Sequence, residues 1–300
     1  MGRLPQSDMD ALAASFDGRV GFYVKDLASG ACHAWNADWI MPTASICKMP
    51  VMVDLFKQAR EGKLSLDDRH TLPSGISALG TGVLSSAEDP PTLTLRDYCR
   101  LMITVSDNMA TDMLIGLLGT ANINATMKAM GLLNTATTMT LGAWHYSMRD
   151  MVDTPGRESD EKMREKGKSM RPNPDSIAYA RTLANNVTSA RDMGVLLERT
   201  YYGQVVSPQA SWGMMEMLKD CQSRTKIPGR LKPDVVVAHK IGGSNRIQGD
   251  VGIVLLPTGP LVVSVLTLAK EPEHSKQAVE LIAELSRMAV GAFSPESIAI

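Results

Sequence analysis

Strand-like runs stand at both ends of this 300-residue chain, with helical patterning between them. "VGFYVKDL" (20–27) and "ACHAWN" (31–36), joined by the turn "ASG", read as two strands near the N-terminus. "DVVVAHKIGG", "GDVGIVLLP" and "GPLVVSVLTLAK" read as three more near the C-terminus. This order predicts one antiparallel sheet built from both termini and flanked by helices, with an all-helical lobe inserted between. The α/β lobe is expected to comprise residues 1–44 and 221–300, and the helical lobe residues 45–220.

Helical segments follow from apolar spacing and caps. Residues 6–16 read as an amphipathic helix, and the pattern is helical from Ser45 to about Met130, broken at "LPSGISALGTG" and "AEDPP". "TLTLRDYCRLMITV" opens with Thr94 and Asp97, a pair resembling a capping box. Further helices are expected from Ser189 to Gly203, over "SPQASWGMMEMLKDCQ", and over "EHSKQAVELIAELSRMAVGAF". Residues 144–176 break the pattern. They are charged, proline-containing and poor in aliphatics, which predicts a solvated or mobile loop and not a separate domain.

Composition narrows the partners. With a formal net charge of -1 there is no electrostatic case for nucleic acid or an anionic membrane surface, and no apolar run reaches membrane-spanning length. The opening "MGRLPQSDMDALAASF" has no basic region followed by an apolar one, so the chain reads as cytoplasmic as written, or as exported if a leader has been removed. Cys32, Cys47, Cys99 and Cys221 lack metal-ligand spacing and are too few for a disulfide framework. The five His residues are scattered, so no metal and no cofactor are expected; a small-molecule substrate is the expected partner, and the oligomeric state is not legible. The 20 Met residues are read as core filler.

The chemistry begins at "TASICKMP" (43–50). Ser45 and Lys48 share a face if Ser45 starts the helix that continues through "VMVDLF". The serine is then either a helix cap beside a solvated charge, or a nucleophile whose neighbouring lysine is made basic by burial. Cys47 lies one residue off that face and reads as packing. Downstream, Ser106-Asp107-Asn108 falls at a joint between two helices, and Lys240-Ile241-Gly242 falls in a strand. Each alone has a structural explanation, as a helix cap or a strand-edge charge. Together, in this order and each in its expected local structure, S-x-x-K, S-D-N and K-x-G form the signature of serine enzymes that acylate on β-lactams.

The chain thus resembles the class A β-lactamases. The likeness extends to "LTLRDYCRLMITVSDNMATDMLI", "MMEMLKDCQSRTKIPGRLKPDVVVAHKIG" and "GDVGIV", covers most of the chain from Gly18 to Ala289, and fails at 144–176. It implies a β-lactamase/transpeptidase-like fold, a helical lobe over an α/β lobe. It further implies that Ser45 attacks a carbonyl, Lys48 takes or shuttles its proton, and Ser106 relays a proton to the leaving nitrogen. Lys240 would attract a substrate carboxylate and hold the Ser106 hydroxyl across the cleft, and Asn108 would bind a substrate amide. Backbone N–H groups of Ser45 and Gly243 would form an oxyanion hole. Gly242 would let the strand approach the substrate, and Asp107 would be structural.

Two positions depart from the family pattern. Ile241 replaces a residue that often carries a hydroxyl, and is expected to point away from the site. The family's deacylating glutamate sits in a pattern of roughly Arg-x-Glu-Pro-x-Leu-Asn, and the comparable "RPNPDSI" carries Asn173 there, with Ile177 in place of the asparagine. An amide is no general base, so Asp175, Glu165 or Lys48 would have to activate the water. The expected function is opening of β-lactam amides through a Ser45 acyl-enzyme with slow deacylation. The alternatives are a D-Ala-D-Ala peptidase, esterase or amidase on the same fold, or a sensor that acylates without turnover.

Overall fold

Strands at both termini meet in a single five-stranded sheet in the computed structural model of the chain, which describes residues 2–151 and 157–299. In chain order the strands are β1 (Gly18–Asp26), β2 (Cys32–Trp35), β3 (Met41–Pro42), β4 (Arg69–Thr71), β5 (Thr92–Thr94), β6 (Val187–Thr188), β7 (Val236–Gly243), β8 (Ile247–Leu256) and β9 (Gly259–Ala269). The helices are α1 (Gln6–Ala14), α2 (Lys48–Arg60), α3 (Leu95–Thr104), α4 (Asn108–Leu118), α5 (Thr120–Ala129), α6 (Leu141–Ser147), α7 (Arg157–Ser169), α8 (Ala190–Tyr201), α9 (Pro208–Lys219) and α10 (Ser275–Gly291). The chain divides into two units: unit 1 runs to Ile46 and resumes at Thr188, and unit 2 is Cys47–Val187.

Unit 1 is the sheet and its helices. The strand order is β2-β1-β9-β8-β7, with antiparallel pairing throughout; Phe22 lies opposite Val265, and Lys240 opposite Val251. β1 shows why both faces are covered. Val20, Phe22 and Val24 join Met9 and Ala13 of α1 and Leu281, Ile282 and Leu285 of α10 in one apolar core. Tyr23 points the other way, under α8, where Gly194 is needed because a Cβ there would stand 2.3 Å from Cδ1 of the ring. With helices on both faces, β9 is buried from Leu261 to Ala269, which explains its nearly unbroken apolar run.

The boundary expected at residue 220 therefore lies at 187/188 instead. α8 buries Met193, Leu196 and Leu197 and packs on β1, β8 and β9, and α9 packs on β7. Both helices belong with the sheet because their apolar stripes face it, a choice of partner that periodicity alone does not reveal.

Unit 2 is built around α2 and α4. α2 buries every residue from Lys48 to Phe56, with Pro50 in its first turn where a missing N–H costs nothing. Within this core the Asp54 carboxylate accepts hydrogen bonds from Thr126 Oγ1 at 2.5 Å and Gln58 Nε2 at 2.7 Å. A short ladder, β4 with β5, closes the segment ahead of α3.

The loop expected over 144–176 is corrected in its described residues; 152–156 lie outside them. α6 buries Trp144 and Tyr146, and Arg157–Ser169 is helical as α7. α7 is mostly exposed, so its charges are solvated as expected, but it is anchored by buried Met163 and Asp160. Asp160 accepts from Ser77 Oγ at 2.7 Å, the Ala78 amide at 2.6 Å and the Tyr146 hydroxyl at 2.5 Å. Two anchors in a charged run leave no apolar stripe to read.

Candidate active site

In unit 1, Ser45 lies in a 3-10 turn, Ala44–Cys47, directly ahead of α2. Ala44 enters it with φ 43°, a left-handed value that costs a non-glycine residue about 1 kcal/mol or more. Strand β7 runs against this turn. A Cβ on Gly242 would stand 2.4 Å from the Thr43 carbonyl oxygen and 3.2 Å from the Ile46 amide nitrogen, so only glycine permits the approach. The fold thus brings Gly242 to the backbone that flanks Ser45. Gly243 follows at the end of β7, where a Cβ would lie 3.0 Å from Gln248 Oε1. Lys240 is fully buried, with Nζ donating to the Ile241 carbonyl at 2.9 Å, while Ile241 is half-buried.

In unit 2, Lys48, Ser106 and Asn108 meet. Lys48 is fully buried at the first position of α2. Its Nζ donates to the Ser106 carbonyl at 2.7 Å, to Ser106 Oγ at 3.0 Å and to Asn108 Oδ1 at 2.8 Å. These donations suit an ammonium, which carries three hydrogens and no lone pair. Of these acceptors the Ser106 hydroxyl can also donate, so it can turn its hydrogen toward Nζ when the lysine gives up a proton.

The joint between α3 and α4 is shaped for this. Ser106 has φ 57°, which reverses the chain between the helices, and its carbonyl also accepts from Thr81 Oγ1 at 2.7 Å. Asp107 caps α4, taking the Ala110 amide on Oδ1 at 2.9 Å, and its Oδ2 takes the amides of Val83 at 2.6 Å and Leu84 at 2.9 Å. The structural role expected of Asp107 is thus what it does. It draws the loop at 79–84 over Asn108, whose Nδ2 donates to the Leu79 carbonyl at 2.9 Å. Gly80 (φ 89°) and Gly82 (φ 134°) make the close passage possible, since a Cβ would stand 2.1 Å from Asn108 Nδ2 at the first and 2.3 Å from Asp107 Oδ2 at the second. "LGTG" reads in sequence only as a break.

Sequence reasoning also missed His145. Its imidazole lies beside the same loop, with Nε2 3.2 Å from where a Cβ of Gly80 would be. Nδ1 is 2.7 Å from the Leu141 carbonyl, an acceptor only, so Nδ1 carries the hydrogen and Nε2 a free lone pair in the neutral ring. Burial lowers its pKa below 6.5, reinforced by the Lys48 and Arg149 charges and opposed by the Leu141 carbonyl and Asp160. α6, which carries it, is pinned at its N-terminus by Asp112, whose carboxylate takes the amides of Leu141 at 2.5 Å and Gly142 at 2.8 Å. No motif marks this histidine; it is the second residue of the stretch 144–176 that breaks the pattern.

Asn173, at the family's glutamate position, and the weighed replacements Asp175 and Glu165 also belong to unit 2. Asn173 donates its amide N–H to the Met148 carbonyl at 2.8 Å, and its Nδ2 to the Asp150 carboxylate oxygens at 2.9 and 3.2 Å. Asp175 is exposed, and Glu165 is exposed on α7 beside Lys168.

Comparison with known proteins follows the same lines. A family model described as "Beta-lactamase enzyme family" matches residues 4–293. The chain is similar to β-lactamase VEB-1 of Pseudomonas aeruginosa, 23% identical over 84% of this chain and 78% of that one. It is similar to the β-lactamase regulatory protein BlaB of Streptomyces cacaoi, 23% identical over 89% of this chain and 90% of that one. Among solved structures it is similar to PBP-A, with TM-score 0.77 and 27% identity over 97% of this chain and 96% of that one. A variant of PBP-A has been solved as an acyl-enzyme complex with penicillin G.

Proposed function

Because the chain belongs to the β-lactamase enzyme family, we propose that it is a serine hydrolase that opens β-lactam amides through an acyl-enzyme on Ser45. The observation that carries this reading is the buried Lys48–Ser106–Asn108 cluster, one helical turn along the chain from Ser45. Lys48 takes the Ser45 proton as the hydroxyl oxygen attacks the lactam carbonyl. The backbone amides of Ser45 and Gly243 receive the developing oxyanion. Ser106 passes the proton to the leaving nitrogen by reversing its hydrogen bond with Nζ. Lys240 attracts the substrate carboxylate, and the second N–H of the Asn108 amide is left for a substrate carbonyl.

Deacylation needs a base for water. His145 is the candidate we favour over Asn173 and Asp175, because its Nε2 lone pair faces the loop over Asn108 while Asn173 is engaged with Asp150. An imidazole kept neutral by burial is basic at neutral pH, which an amide is not.

A second reading, acylation without turnover, draws support from the likeness to a regulatory protein. One experiment separates them. The protein is mixed with a chromogenic cephalosporin, and the quenched mixture is analysed by peptide mass spectrometry. Multiple turnovers with a transient adduct on Ser45 support the hydrolase. One stable adduct per chain supports the sensor. No adduct on Ser45 sinks both, and hydrolysis of simple esters or D-Ala-D-Ala peptides would then point to a related amidase or esterase.

A further inference from the structure

Asn108 is held at both ends of its side-chain amide. Oδ1 accepts from Lys48 Nζ at 2.8 Å, and Nδ2 gives one hydrogen to the Leu79 carbonyl at 2.9 Å. The terminal torsion of an asparagine is broad and nearly two-fold, so these two bonds decide where the second Nδ2 hydrogen points. The first bond comes from α2. The second comes from a loop, and a loop carbonyl is only as well placed as the loop itself. Gly80 and Gly82, just beyond Leu79, have no side chains with which to hold it.

The grip on this loop comes from α7. Asp160 is 2% exposed; its Oδ1 accepts from Ser77 Oγ at 2.7 Å and from the Tyr146 hydroxyl at 2.5 Å, while Oδ2 accepts the Ala78 amide at 2.6 Å. Met163 lies three residues on, over the same face of the helix, and packs with Leu79 and Tyr146 in a small buried cluster. One turn of α7 thus takes hold of Ser77, Ala78 and Leu79 in succession, and Leu79 is the residue whose carbonyl Asn108 uses. Among the described side chains of α7 only Asp160 and Met163 are buried, and both are spent on the loop and on Tyr146. The loop also runs against α6, where a Cβ on Gly142 would stand 2.8 Å from Ser77 Cβ.

We propose that Asp160 is a positioning residue that aims the second Nδ2 hydrogen of Asn108 and thereby selects β-lactams that carry a side-chain amide, which rests on the reading of Asn108 as the group that binds a substrate carbonyl. Asp160 touches no substrate. It fixes Ser77 and Ala78, they fix the Leu79 carbonyl, and that carbonyl fixes the Asn108 amide. The carboxylate is needed as an acceptor and not as a charge. With asparagine at 160, the carbonyl oxygen can take the Ala78 amide, and the NH2 group can donate to the Ser77 and Tyr146 hydroxyls, which accept as readily as they donate. Alanine can do neither.

The test compares two acylating substrates on the full chain by rapid-quench mass spectrometry of Ser45. Penicillin G has a side-chain amide; the bare penicillin nucleus has an amine in its place. Asp160→Ala is expected to slow acylation by penicillin G about tenfold, the worth of one hydrogen bond, and acylation by the nucleus less than about twofold. Asp160→Asn should return penicillin G to within about twofold of wild type. In an Asn108→Ala background, Asp160→Ala should change neither rate, because the link has lost its end. An equal loss with both substrates marks a merely structural anchor and overturns the proposal. So does a folded Asp160→Asn protein as slow as Asp160→Ala, or the same selective loss in the Asn108→Ala background. If Asp160→Ala does not fold, Ser77→Ala removes one of the two bonds into the loop and is judged by the same pair of substrates. If neither substrate acylates wild-type Ser45, the hydrolase reading fails, and NMR of the Asn108 side-chain amide decides the tether alone. Its signals, identified by their absence in Asn108→Ala, should shift in Asp160→Ala or Ser77→Ala and stay in place in Asp160→Asn; signals unmoved in the folded alanine variants overturn it.

Discussion

Lys48 Nζ lies 2.7 Å from the carbonyl oxygen of Ser106 and 3.0 Å from its hydroxyl, so one residue offers the lysine a fixed acceptor and a reversible one. The left-handed backbone at Ser106 turns both groups toward the same nitrogen. Its strain, about 1–2 kcal/mol, is offset by the hydrogen bonds it makes possible.

That pairing makes the two side chains separable by mutation. Lys48→Ala is expected to slow acylation by about a hundred- to ten-thousand-fold, the usual effect of losing a general base. Ser106→Ala keeps the carbonyl acceptor and should slow acylation less, with its larger effect on departure of the leaving nitrogen. Rapid-quench mass spectrometry of the Ser45 adduct measures both. A Lys48→Ala protein that folds and acylates at the wild-type rate would refute the assignment of the base.

His145 predicts a pH signature. Its folded pKa lies below the 6.5 of the unfolded chain because burial disfavours the charged ring. Between the two values the unfolded chain binds more protons, so stability is kept above pH 6.5 and declines as pH falls through the folded pKa. Release of the acyl group should stay fast down to that lower pH and fall below it. His145→Asn should slow acyl release by roughly a hundredfold or more and flatten the acid decline in stability. Urea titrations from pH 7 down to 5, run beside burst kinetics, check both limbs; unchanged acyl release would remove His145 from the mechanism.

Asn173→Glu tests the loop that the family pattern singles out. Asn173 now donates to both oxygens of Asp150, and a glutamate would set carboxylate against carboxylate. The expected outcome is no gain in acyl release and a stability loss below about 1 kcal/mol, as for a surface charge pair. Faster turnover in the variant would show that this loop, and not α6, serves the water.

Asp112 holds the start of α6 through two backbone amides and is 7% exposed. Asp112→Ala leaves both donors buried without a partner, for an expected cost of about 2–3 kcal/mol in denaturant unfolding. Asp112→Asn keeps one acceptor and should cost about half of that. Both should slow acyl release, since they loosen the helix that positions His145. A loss under about 0.5 kcal/mol in Asp112→Ala would mean that the Thr140 cap, which takes the Ala143 amide at 3.1 Å, suffices alone.

The sequence alone determined what local physics can determine. Strand patterns at the two termini could bury their faces only by joining, and they do, with β1 beside β9. The Thr94–Asp97 pair is a cap because it acts across three residues; Thr94 Oγ1 accepts the Asp97 amide at 3.0 Å. The spacing of Ser45 to Lys48 and the helix joint at Ser106–Asn108 were visible for the same reason. Tertiary structure decided the rest. α8 and α9 show ordinary amphipathic stripes, and only packing chose the sheet as their partner. α7 is held by Asp160, whose partners Ser77 and Ala78 are 83 and 82 residues away in sequence, a separation that leaves no periodic trace. His145 acquires its charge state from burial and from neighbours on other elements. Desolvation and Coulomb interactions act through space, and a residue's distance along the chain carries no record of them.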